Sequence, residues 1–180
     1  MNLTLFKKFM KEDISKQDSF EWYMFLEICS TYLKKHNIKN PVVVELGKRD
    51  SQKRFWEQLF NAHYTGDIME MPMSLRQSIL KKELGRKLIN ILFINGDHRY
   101  EAVKEDFKMF APLCNGIIAF HGIETFRYKK REVAQVWKFW DDLRLGRIKN
   151  AAEYRDYPVL SIHKRRPKGC QRGIGVILKK

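Results

Sequence analysis

Ile89-Asn90-Ile91-Leu92-Phe93-Ile94-Asn95-Gly96-Asp97-His98 is an apolar run that stops abruptly on a turn-forming tetrapeptide. Apolar residues at consecutive rather than alternate positions fit a strand buried on both faces of a sheet. The next segment carries Tyr100, Val103, Phe107 and Phe110 at helical spacing, and Pro112 closes it. The same grammar recurs upstream. Val42-Val43-Val44-Glu45-Leu46 reads as a second doubly buried strand, and Gly47 opens the turn after it. Phe55, Trp56, Leu59 and Phe60 then have helical spacing, and a short strand from His63 ends on the acid Asp67, completing a βαβ unit. Downstream, a strand over Ile117 to His121 leads through a loop, Gly122 to Lys130, into a helix carrying Val133, Val136, Trp137, Trp140 and Leu143. The last two strands, Val159 to His163 and Ile174 to Leu178, are joined by the polar link Lys164 to Arg172 with no helix between them. Alternating strands and helices followed by two adjacent strands predict an α/β fold, mostly parallel, with a C-terminal antiparallel strand pair.

Two further helices flank this pattern. From Ser19 as N-cap, Phe20, Tyr23, Met24, Ile28 and Tyr32 recur at three and four residues and predict an amphipathic helix packed by that face. The Asn40-Pro41 break then sets an N-terminal helical segment, residues 1–40, apart from the core over 41–180 in what is a single domain overall. Ser74 with Gln77 three residues on reads as a capping box, Gly85 as the stop, and Leu75, Ile79 and Leu80 as the apolar positions between them. Between Asp67 and Ile91 only that helix fits, so a third strand is lacking or remodelled.

The 180 residues, 44% of them hydrophobic, suffice for one sizeable core. Lys and Arg number 35 against 21 Asp and Glu, a net charge of +14. Fifteen of the basic residues and only five of the acids fall from Lys129 onward, so the basic character belongs chiefly to the last third. Lys164, Arg165, Arg166, Lys168 and Arg172 form its densest cluster, readable as a solvated loop or as a contact for nucleic acid or another acidic partner. No apolar run approaches the roughly 20 residues of a membrane span. Residues 1–16 alternate apolar and charged side chains and do not read as a secretory signal. Cys29, Cys114 and Cys170 are odd in number and in no metal-ligand spacing, which points to a reducing, cytoplasmic setting. Oligomeric state is not legible.

In open α/β sheets, ligands sit beyond the carboxyl ends of the strands. The strand tips here carry Glu45 and Gly47, Asp67, Asn95 with Asp97 and His98, and His121. Topology therefore brings acids, imidazoles and an amide to one rim, although they are far apart in sequence. Each has a plainer reading: Asp97 as N-cap of the following helix, the histidines as partners of loop backbone, Trp137 and Trp140 as core.

The segments Val42 to Gly47, Phe93 to Glu101, Pro112 to His121 and Gly173 to Ile177, taken in order, resemble class I S-adenosylmethionine-dependent methyltransferases, in particular the cephalosporin hydroxylase-like and small-molecule O-methyltransferase branch. That resemblance implies a Rossmann-like sheet and S-adenosylmethionine as cofactor. It places Glu45, Gly47, Asp67 and Asn95 at the cofactor, with Asp67 holding ribose hydroxyls, and makes His98, His121 and Asp97 the candidate catalytic residues. Metal-dependent members of the family carry carboxylates where this chain has Asn95 and Gly122, so a divalent metal site is disfavoured, because hard cations want carboxylate oxygens. Glu124 could substitute only if its loop folds back. Basic bulk at Lys48, Arg49, Lys53 and Arg54 departs from the family's glycine-rich turn. The implied function is methyl transfer to a hydroxyl of a small molecule or sugar. Two alternatives share the fold: an inactive binding module using the basic C-terminal region, and a lyase consuming S-adenosylmethionine.

Overall fold

A computed structural model gives the fold, and it describes residues 3–12, 19–47, 50–66, 73–125, 127, 134–149, 151–164 and 172–179. Six strands form one sheet: β1 (Val42–Leu46), β2 (His63–Thr65), β3 (Ile89–Ile94), β4 (Cys114–His121), β5 (Val159–Ile162) and β6 (Ile174–Leu178). Their order is β2-β1-β3-β4-β6-β5. The first four are parallel, β6 runs antiparallel to β4, and β5 runs antiparallel to β6. This is the mostly parallel sheet with a closing antiparallel pair that the sequence predicts. Among the described residues β2 is an edge, and the next element is a helix, so no third strand flanks it. The helices are α1 (Leu3–Glu12), α2 (Ser19–Lys35), α3 (Asp50–Phe60), α4 (Met73–Leu84), α5 (Tyr100–Phe110) and α6 (Val136–Arg144). None of the described helices is long and apolar enough to cross a membrane.

Alternation along the strands sorts the core into two layers. Val42, Val44 and Leu46 of β1 and Leu92 and Ile94 of β3 face Leu80 and Leu84 of α4, Val103 and Phe107 of α5, and Phe139 and Trp140 of α6. Val43, Ile91, Phe93, Ile117 and Ala119 face the opposite way, onto Phe6 and Phe9 of α1, Trp22, Phe25 and Leu26 of α2, and Phe55 and Trp56 of α3. Every residue of β1 is buried, Glu45 included. Of the aromatic pair on α6, Trp140 is core, while Trp137 lies under the Arg127 guanidinium at 5.9 Å. Val133 lies outside the described residues.

Two helix faces differ from expectation. On α2 the buried residues are Glu21, Trp22, Phe25, Leu26, Cys29, Ser30 and Leu33, whereas Phe20 and Met24 are exposed and Tyr23, Ile28 and Tyr32 only half-buried. The helix carries apolar residues on both stripes, so spacing alone cannot choose. The stripe with Trp22 and Phe25 has the larger area to bury and takes the core. The outward stripe joins Leu160 and Leu178 in a shallow groove of about 520 Å³. On α4 the capping box is absent. The helix starts at Met73, Gln77 Nε2 donates to the Met109 carbonyl on α5 at 2.8 Å, and Leu75 is exposed. A tertiary partner has outcompeted the local one.

Asp106 on α5 is buried beside Arg76 of α4, 3.8 Å away. Burial pushes its carboxyl up to about 6, against the pull of Arg76. An unfolded aspartate titrates near 3.9, so between about pH 4 and 6 the folded chain holds a proton that the unfolded chain has lost. The stabilisation is complete below that window and lost as the pH rises through it, with a total on the order of 2–3 kcal/mol. Calorimetric melting of Asp106→Asn is expected to lack this component, and parallel Tm–pH curves for variant and parent would refute it.

Candidate active site

Register brings the candidate residues level. Leu46 pairs with Ile94 and Ile94 with Phe120, so one step further Gly47, Asn95 and His121 share a rung, and His121 pairs onward with Ile174. Period two also puts Glu45, Asn95 and His121 on the α1–α3 side of the sheet, in phase with Val43, Phe93 and Ala119.

Glu45 is fully buried. Its Oε1 accepts from Asn95 Nδ2 and its Oε2 from the Tyr64 hydroxyl, both at 3.4 Å. A carboxylate taken out of water needs such donors. Tyr64 comes to the site through strand register: Val43 pairs with Tyr64, so the phenol shares the face of Glu45.

Gly47 sits where two strand ends converge. Asn95 N donates to the Leu46 carbonyl at 2.8 Å, and a Cβ on residue 47 would stand 2.7 Å from the Asn95 carbonyl oxygen. Only a bare Cα fits. The Asn95 carbonyl takes that space at the end of β1, which is flanked by β2 on one side and β3 on the other, the point where chain order reverses and ligands enter such sheets.

His98 and His121 come together with ring centroids 5.9 Å apart, and Phe93 lies 6.4 Å from the His121 ring. Gly122 makes room for the pair. Its φ is +89°, and a Cβ there would lie 3.2 Å from His98 Cε1 and 3.2 Å from Thr125 Oγ1. Backbone conformation and space thus both demand glycine here.

Asp97 is engaged otherwise. Its Oδ1 accepts from Arg99 N at 3.0 Å and its Oδ2 from Arg99 Nε at 2.8 Å, with Arg99 Nη2 also paired to Oδ2. Arg99, not Asp97, is the N-cap residue of α5. The hydrogen bond from Arg99 holds the Asp97 carboxyl below its usual range, which makes it a weak proton acceptor. Glu124 pairs with Arg127 at 3.2 Å, and that guanidinium also binds Asp141 at 2.7 Å, so Glu124 is not turned toward Asn95 as a substitute ligand. Among the described residues no group of three or more His, Cys, Asp or Glu is placed to hold a metal. Cys114 is buried, and desolvation pushes its thiol up to about 12, leaving it inert as a nucleophile at neutral pH.

Asp67, Arg165, Arg166 and Lys168 lie outside the described residues, as do Lys48 and Arg49. Of the basic cluster, Lys164 is exposed and Arg172 half-buried.

No protein-family model matches the chain. The MycE methyltransferase of the mycinamycin biosynthetic pathway, solved with Mg, SAH and mycinamycin VI, superposes with a TM-score of 0.57 over 97% of this chain and 54% of its own, at 14% identity. An O-methyltransferase from Bacillus cereus, solved with SAH, gives 0.54 over 98% of this chain and 91% of its own, at 10% identity. An uncharacterised protein of Acanthamoeba polyphaga mimivirus is 34% identical over 61 residues, 33% of this chain and 28% of its own length. The chain therefore spans about half of MycE and under a third of the mimivirus protein. Its fold is the Rossmann-like fold of these methyltransferases.

Proposed function

We propose that this chain binds S-adenosylmethionine at the carboxyl ends of β1 and β3 and transfers its methyl group to a hydroxyl of a small-molecule acceptor. The observation that carries this reading is the buried Glu45 carboxylate beside the tight Gly47 turn, at the point of the sheet where chain order reverses. Glu45 would give the pocket its negative charge, held in place by Asn95 and Tyr64. Asp67 would accept hydrogen bonds from the ribose hydroxyls, a role suited to a carboxylate with two acceptor oxygens. When bound, the cofactor supplies a methyl group already activated on a sulfonium.

The protein then has to align the acceptor, exclude water and remove one proton. An imidazole within hydrogen-bond reach of a hydroxyl can take that proton as the oxygen attacks, and His98 or His121 would do so. The donor chemistry at Asn95 and Gly122 favours a reaction without a bound divalent ion, since an amide and a bare Cα replace two anionic ligands.

Isothermal titration with S-adenosylmethionine tests the reading. Binding is expected, unchanged by a chelator. No heat at about 1 mM cofactor, the weak end of ordinary substrate affinities, would remove the methyltransferase proposal, and loss of binding on chelation would remove its metal-free form.

A further inference from the structure

We propose that Glu21, on the first turn of α2, is a positioning residue for the His98–His121 pair, acting through the backbone of Gly173 and Gly122. The inference rests on reading that pair as the acid/base centre. An acid in the first turn of a helix ordinarily stays in water near the helix N-terminus. Glu21 is instead 2% exposed, a costly placement for a carboxylate. It is directed at chain far away in sequence. Oε1 accepts from Lys164 N at 3.2 Å and Oε2 from Gly173 N at 3.1 Å, so one side chain ties together both ends of the link between β5 and β6.

From there the connection runs straight to the imidazoles. The Gly173 carbonyl accepts from Gly122 N at 2.8 Å, and the Arg172 carbonyl accepts from Glu124 N at 2.7 Å. Gly122 is the residue whose missing Cβ lets the His98 ring lie against the chain. Beside Gly173, Ile174 is the register partner of His121, so the same backbone also fixes where β4 ends. Close packing transmits any shift, because a Cβ on residue 173 would stand 2.9 Å from Ile123 Cγ1 and 3.3 Å from Glu124 Cγ. Two charge-assisted bonds at the start of this chain of contacts hold it in one arrangement.

Glu21→Gln keeps the volume but turns an amide NH2 toward one of the two backbone N–H groups, so at least one bond is lost. The test uses the full chain without cofactor, with imidazole signals read by 1H–15N correlation and assigned from single His→Gln variants. In Glu21→Gln the His98 and His121 signals are expected to shift, with His36 and His63 unmoved as internal controls. Glu21→Ala should enlarge the same shifts; if it fails to fold, the isosteric Gln variant still decides. Turnover, measured on an accepted substrate, should fall about 10- to 100-fold while the affinity for S-adenosylmethionine stays that of the parent, the pattern of displaced catalytic groups beside an intact cofactor site. Unshifted His98 and His121 signals in a folded Glu21→Gln protein would overturn the proposal. Absence of cofactor binding in the parent would sink the methyltransferase reading and leave this coupling to be judged on the imidazole signals.

Discussion

Trp22→Ala is expected to lower the stability of the fold by about 3–5 kcal/mol, measured as a shift in the urea midpoint at unchanged m-value. The indole is 1% exposed, and the rings of Phe25, Phe55, Trp56 and Phe93 surround it at centroid distances of 5.8, 5.6, 6.4 and 5.2 Å. Those four partners come from α2 itself, α3 and β3, so the indole packs three elements together. Truncation removes the ring's transfer free energy and leaves a cavity whose aromatic walls cannot collapse far. Trp22→Phe should cost much less. Trp22 Nε1 is buried with no hydrogen-bond partner among the described residues, so the parent already carries an unsatisfied donor worth roughly 1–3 kcal/mol that phenylalanine removes. If the two variants melt alike, the indole is not packed as described.

Gly47→Val is expected to abolish S-adenosylmethionine binding, by at least about 100-fold, in a protein that still folds. The new Cβ would meet the Asn95 carbonyl oxygen at 2.7 Å and its carbonyl carbon at 3.1 Å. Neither belongs to a flexible side chain. The β3 terminus must therefore move, taking the Asn95 amide away from Glu45. Overpacking of this kind costs about 1–3 kcal/mol of stability, small enough for most domains to survive. Calorimetry and a thermal melt on one preparation separate the two effects. Parent-like affinity in the variant would show that the cofactor does not use this turn.

Much of this arrangement is legible in the sequence because it is written in local pattern. Consecutive apolar residues at Val42–Val44 and Ile91–Ile94 report burial on two sides, and the absence of a helical pattern between the two last strand candidates reports the antiparallel pair. The juxtaposition of His98 with His121 follows from topology, since parallel strands must deliver their tips to one rim. Failures occur where the deciding partner is distant. The apolar stripes of α2 compete on equal terms until the sheet selects the one with Trp22. Ser74 and Gln77 satisfy a local rule, yet Gln77 finds the Met109 carbonyl. Glu21 resembles any first-turn acid, because its partners are backbone N–H groups 143 and 152 residues away, which no side-chain pattern announces. Tyr64 reaches Glu45 only through the register of β1 with β2, which the sequence does not state.

The sheet's outline carries one more consequence. It is broad in the middle and narrow at its margins, eight residues in β4 against three in β2 and four in β5. Exposed margins are where a stray strand from another molecule docks and begins a deposit. Margins this short offer such a strand only a few unpaired backbone groups, too little to repay the entropy of immobilising it. The described sheet thus has a blunt border on both sides.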